Sequence, residues 1–145
     1  MKSKVFKRIL KECAGEYGFK YIFQYKALYL NTEQLIIAVN SQKSSYSNAY
    51  YVNCGFFVKE LKKTSEYPKV EECHILHRFS NYETEHRSDL FNIDDLEDST
   101  LTAIFHKNFV ELRPTIENGI KSFFESNPKA VCAAGQALKQ YLLNQ

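Results

Sequence analysis

Carboxamides stand where strands are expected. Asn40, Gln42 and Asn53 lie within two stretches otherwise rich in Val, Ile, Phe and Tyr. Such amides donate and accept hydrogen bonds but do not titrate. Asn is depleted in strands, so a pair of them there calls for a reason. If Ser45 to Asn48 form a four-residue turn, Ser44 pairs with Ala49 and the two stretches zip together. One face then sets Leu35 opposite Val58, Ile37 opposite Phe56, Val39 opposite Cys54 and Ser41 opposite Val52. The other sets Ala38 opposite Gly55, Asn40 opposite Asn53, and Gln42 opposite Tyr51. A slip of one residue would scramble both sets, so their clean separation supports this register. A further strand at 73–79 adds His74 and Arg78 to one face at period two, or His77 to the other. Two or three amides, a phenol, an imidazole and a guanidinium suit binding of a planar or anionic group, yet supply no nucleophile. Ligand-binding candidates are therefore Asn40, Gln42, Tyr51, Asn53, His74 and Arg78. The plainer reading is the solvated face of an antiparallel sheet.

Other clusters point less far. Gln42-Lys43-Ser44-Ser45 with Ser47 and Asn48 is rich in donors, but no glycine lies between Gly18 and Gly55. Phosphate loops use glycines so that backbone N–H groups reach the anion, which excludes a P-loop or a dinucleotide fingerprint. Cys73, His74 and His77 are close in sequence, but neighbours on a strand point to opposite faces, and Cys73 and His77 stand ~13 Å apart at strand rise. No metal is expected there, and no cofactor elsewhere. Glu83, Glu85 and Asp89 with His86 form a loop group that could do acid–base chemistry, though solvated loop charge explains it more simply. A GxSxG elbow is absent, and no catalytic residue is assigned. Asp89, Asp94, Asp95, Glu97 and Asp98 form an acidic stretch suited to a basic protein partner.

These side chains must be positioned by a small set of elements. Val5, Phe6, Ile9, Leu10, Cys13 and Tyr17 recur at helical spacing, so residues 3–16 are expected to form an amphipathic helix capped by Ser3 and ended by Gly15 or Gly18. From Phe19 to Val58 the period becomes two, giving strands near 19–24, 27–31, 34–44 and 49–58. Residues 59–71 and 80–98 read as loops, the second with room for a short helix. After Ser99 the helical period returns through Leu101, Ile104, Phe105, Phe109 and Leu112, then Ile116, Ile120, Phe123 and Phe124. Pro114 inside that stripe predicts a kink or a break. Asn127-Pro128 is a helix-start signal for a last helix burying Val131, Cys132, Gly135, Leu138, Tyr141 and Leu142. The order predicts α+β: an N-terminal helix, an antiparallel sheet of four or five strands, and C-terminal helices packed on one sheet face.

The 145 residues fit a single domain. No apolar run reaches ~18 residues and no signal-peptide pattern opens the chain, so a soluble, cytoplasmic protein is expected. The net charge of +2 conceals eleven Lys and Arg against four acids in residues 1–63, and eight against thirteen in residues 64–145. That split can mark a nucleic-acid face on the first helix and Lys43, or two solvated faces attracting one another. The aromatics sit mostly at core positions, which speaks against nucleic-acid stacking. Cys13, Cys54, Cys73 and Cys132 never form CxxC, and they are expected as reduced thiols, three of them on apolar faces.

The stretch Val39-Asn40-Ser41-Gln42-Lys43-Ser44-Ser45-Tyr46-Ser47-Asn48, with Tyr50-Tyr51-Val52-Asn53-Cys54-Gly55, resembles the core signature of a group of small bacterial proteins, the domain-of-unknown-function family 4304. Gly18-Phe19-Lys20 and the strand from Cys73-His74 to Arg78 match it as well, whereas the C-terminal half matches only as helical pattern. The resemblance implies a cytosolic α+β protein and carries over no activity and no functional residues. Three functions are then weighed. The first is a non-catalytic module acting on a protein partner, in the manner of immunity or accessory proteins, through the acidic stretch. The second is small-ligand binding or catalysis on the amide-rich face. The third is nucleic-acid binding through the basic first helix.

Overall fold

The computed structural model describes residues 1–61, 67–84 and 88–145, the side chains of Cys132 and Ala133 apart. Glu85 and His86 lie outside the described residues, and with them the acid–base group expected in that loop.

The first helix, α1 (Ser3–Glu16), buries Phe6, Ile9, Leu10, Cys13 and Ala14. Ser3 does not cap it. Lys2 takes that place, its carbonyl accepting from the N–H groups of Val5 and Phe6, and no side chain contributes. At the other end Gly18 adopts φ 91°, and Phe19 N–H returns to the Ala14 carbonyl at 3.1 Å. A left-handed glycine of this kind closes the last turn without a Cβ penalty.

Five strands follow in an antiparallel meander: β1 (Lys20–Ile22), β2 (Ala27–Asn31), β3 (Leu35–Lys43), β4 (Ala49–Val58) and β5 (Ile75–Arg78). A sixth, β6 (Phe91–Asn92), lies within the stretch expected to be loop; it pairs with β4 at Ala49 and Tyr50. The β3–β4 register is the one the alternation predicts, from Leu35 opposite Val58 to Lys43 opposite Tyr50. Ser44 N–H reaches the Ala49 carbonyl at 2.9 Å.

The inner face carries Leu35, Ile37, Val39, Val52, Cys54, Phe56 and Val58, all fully buried. Aromatic rings join it to α1 and to the helices α2 (Asp98–Asn118) and α3 (Ile120–Ser126), while α4 (Gln136–Leu143) adds Leu138 and Tyr141 to the same core. Phe6 stacks on Tyr50 at 4.9 Å and meets Phe105 edge-on at 5.5 Å. Phe79 meets Phe109 at 5.0 Å and Phe56 meets Phe123 at 4.7 Å. Such pairs add about 0.5–1.5 kcal/mol each beyond area burial. The fold is α+β, with its helices on the inner face. Among the described residues no helix is long and apolar enough to cross a membrane.

Helix α2 runs on through Pro114 and breaks at Gly119 instead. The carbonyl that Pro114 leaves without a helical donor is that of Val110, an exposed position, so the loss is cheap there. Gly119 has φ 90°, and the Gln34 side chain occupies the place a Cβ would take. Asn127 stands at the N-cap position of the next segment, but its side chain makes no cap bond there. Its Nδ2 donates to the Phe123 carbonyl at 2.9 Å and so ends α3, and Pro128 opens a 3-10 turn, Pro128–Ala133. Leu138 and Tyr141 of α4 are buried, whereas Gly135, expected on that buried face, is the exposed residue before the helix.

The outer face is not wholly solvated. A second, smaller core of Ala27, Tyr29, Ile36, Ala38, Phe57 and Val70 occupies part of it. Its cover comes from Tyr67, the short 3-10 turn Val70–Glu72 and Cys73, within and just past the stretch expected to be plain loop.

Candidate functional site

Beyond that small core the outer face turns polar. Asn40 lies opposite Asn53, and Asn53 lies opposite Arg78, so three adjacent strands contribute one row. Arg78 Nε donates to Asn53 Oδ1 at 3.1 Å. Asn53 Nδ2 donates to Asn40 Oδ1 at 3.1 Å and to Gln42 Oε1 at 3.0 Å. The Arg78 guanidinium lies over the Tyr51 ring at 4.0 Å, and its Nη1 meets Asp89 Oδ2 at 3.3 Å.

This network has a direction. A guanidinium only donates, so the Asn53 oxygen must face Arg78. Its amino group then faces Asn40 and Gln42, which must answer with oxygens. Their own amino groups are left pointing away, and neither finds an acceptor among the described residues. The row thus uses its acceptors internally and presents donors: Asn40 Nδ2, Gln42 Nε2 and Arg78 Nη2.

These groups border a groove of about 760 Å³, lined also by Ser41, Val70, Glu71, Leu76 and His77. That volume falls within the range typical of ligand sites, ~300–1,000 Å³. Leu76 is 60% exposed and offers an apolar flank. Glu71, exposed in the Val70–Glu72 turn, is the one acidic residue among the described residues lining the groove. The wall itself depends on Gly55. A Cβ there would stand 2.6 Å from Cys73 Sγ and 3.2 Å from the Val70 carbonyl. Only glycine lets the 67–73 segment lie this low on the sheet.

Five of the six sequence-derived candidates, Asn40, Gln42, Tyr51, Asn53 and Arg78, come together here. His74 stands apart. Its Nδ1 accepts the Val58 N–H at 2.9 Å and its ring packs on Phe57 at 4.6 Å, so it secures the end of β4. Sequence reasoning missed Val70, Glu71 and Leu76. The one available signal was Gly55, since a glycine inside a strand marks close backbone approach.

The acidic stretch divides among three places. Asp89 joins Arg78, Asp94 accepts from Asn48 Nδ2 at 2.9 Å beside the β3–β4 turn, and Asp98 lies 4.0 Å from Arg8 of α1. Asp95 and Glu97 are exposed between them. Among the described residues no three His, Cys, Asp or Glu side chains come together as metal ligands do. Cys13, Cys54 and Cys73 are free thiols. Burial pushes Cys13 up to about 11 and Cys73 up to about 12, with nearby Glu side chains adding to both, and raises Cys54 further. None is a nucleophile at neutral pH.

No curated protein and no solved structure matches the chain. The profile of the family described as "Domain of unknown function (DUF4304)" matches residues 10–118, which span the sheet, the groove and α2. The chain therefore belongs to the DUF4304 family, and its groove lies wholly within the matched region.

Proposed function

We propose that the protein is a non-catalytic binding module whose recognition surface is the donor-lined groove on the outer face of β3, β4 and β5. The ligand class is a carboxylate or another acceptor-rich planar group carrying an apolar flank. The observation that carries this reading is the directed row Arg78–Asn53–Asn40/Gln42, which leaves three donor groups at one groove without acceptors among the described residues. Arg78 and Asp89 are 41% and 49% exposed, and such a pair is worth only ~0–1 kcal/mol. A ligand carboxylate can replace Asp89 at little cost, while the Tyr51 ring and Asn53 hold the guanidinium in place. Leu76 and Val70 then receive the apolar flank.

The test is an NMR titration of the intact protein with succinate, and with butylammonium as the cationic control. Succinate should shift the side-chain N–H signals of Asn40, Gln42 and Arg78, and butylammonium should not. Equal response to both probes, or none to succinate at millimolar concentration, would remove this reading.

A further inference from the structure

The β3 strand has an unpaired half. β2 pairs with it only from Asn31–Ile36 to Leu28–Val39, after which the chain before Ala27 turns away. Residues Asn40–Lys43 keep β4 on one side and, among the described residues, have no strand on the other. In an antiparallel ladder successive residues point their backbone groups to alternate sides. Ser44 bonds toward β4 and Leu35 toward Thr32, so the odd-numbered residues of β3 face the β2 side. Ser41 and Lys43 therefore present N–H and C=O groups along an open edge.

Three lysines flank this edge. Lys7 and Lys11 of α1, one helical turn apart, and Lys26 line a cleft of about 150 Å³ with Tyr21, Leu28, Asn40 and Ser41. Lys11 Nζ sits 3.7 Å over the Tyr21 ring, while Lys7 Nζ and Lys43 Nζ each lie 5.8 Å from the Tyr50 ring centre. None of Lys7, Lys11 and Lys26 has a carboxylate partner among the described residues. Two exposed aromatics belong to the turns at either end of the free edge. Phe23, 79% exposed, precedes Lys26, and Tyr46, 98% exposed, tips the β3–β4 turn. Exposed edges are normally blunted or used, and aromatic side chains are enriched at protein interfaces.

We infer that the free half of β3 docks an extended acidic segment of a protein partner by strand addition. Backbone donors and acceptors in alternation are what a polypeptide complements. The lysines select acidic side chains on the added strand, and their unpaired charge gives the encounter a salt dependence. This site does not rest on the donor-lined groove, from which it differs in its lysines and in its use of backbone groups.

The test uses a short peptide alternating glutamate with threonine, its lysine–threonine counterpart, and a short oligothymidylate, each titrated into the labelled intact protein. The glutamate peptide should shift the backbone amides of Ser41 and Lys43, and its affinity should fall at least about tenfold in the variant K7E/K11E. The variant S41P, which removes one edge-facing N–H, should weaken the same binding. Should S41P fail to fold, K7E/K11E on the α1 surface keeps the test decisive. Shifts that spare Ser41 and Lys43, equal binding of the lysine peptide, or binding of oligothymidylate alone would each overturn the proposal.

Discussion

Replacing Gly55 by alanine tests how the groove wall is built. The new methyl would stand 2.6 Å from Cys73 Sγ, 2.8 Å from Cys73 Cβ and 3.2 Å from the Val70 carbonyl. Ordinary contact is ~3.5–4.0 Å, so Cys73 must retreat by about 1 Å. Nothing there is the far end of a flexible chain. The retreat lifts the Val70–Glu72 turn from Ala38, Ile36 and Phe57 and loosens the small outer core. Overpacking of this kind costs ~1–3 kcal/mol. With a urea slope of ~1–3 kcal/mol/M, the unfolding midpoint should fall by about 1 M. Tm should fall by several degrees, at ~2–4 °C per kcal/mol for a chain of this size. The sign is informative, because glycine-to-alanine changes without a clash stabilise by ~0.4–1 kcal/mol through the unfolded state. In a C73G background the penalty should shrink, since the two closest contacts are then gone. Wild-type or higher stability for G55A, or an undiminished penalty beside C73G, would refute the packing argument.

Two further predictions follow from buried groups. Asn108 is buried and ties α2 to the chain after β5: its Oδ1 accepts from Ser80 N–H, and its Nδ2 donates to the Ser80 and Ile104 carbonyls, each at 2.9 Å. N108A removes all three bonds of this buried side chain and should cost ~2–4 kcal/mol in urea unfolding; a loss below ~1 kcal/mol would contradict the assignment. The thiols of Cys13, Cys54 and Cys73 are all held above their ordinary 9.0 in the folded state, mainly by burial. A raised folded pKa contributes stability that is complete below the unfolded value and is lost as pH rises toward the folded one. Stability measured by denaturation should therefore be level up to about pH 8 and decline from about pH 9 to 12, and serine replacement of Cys13 should flatten that decline. Iodoacetamide at pH 8 should label these three thiols far more slowly in the native than in the unfolded chain.

Much of this architecture was legible in the sequence, and for a physical reason. The β3–β4 register follows from strict alternation, because a one-residue slip would bury Asn40 and expose Val39. The helix stripes of Phe6–Cys13 and Leu101–Leu112 follow from their period. The stripe does divide into two helices, but at Gly119 rather than Pro114: the missing Pro114 N–H concerns an exposed carbonyl, whereas Gly119 breaks the helix by its positive φ against Gln34. The outer-face cover was hidden because Tyr67 and Val70 are single apolar residues in a charged stretch, with no period to reveal them. The direction of the amide row was hidden too. It depends on Arg78 lying opposite Asn53, and β4 and β5 are joined by a long connection that fixes no register in advance. β6 is only two residues long, too short to show alternation.

The most direct test of the donor-lined groove is succinate affinity in N53D against the wild type. The substitution keeps shape and keeps the Arg78 bond, but a carboxylate only accepts. Asn40 and Gln42 must then turn their amino groups inward and show oxygens to the groove. Two lost donors at ~1–1.5 kcal/mol each, with an added negative charge, should lower succinate affinity at least about tenfold and raise that for butylammonium. N53D binding succinate as tightly as the wild type would contradict the account.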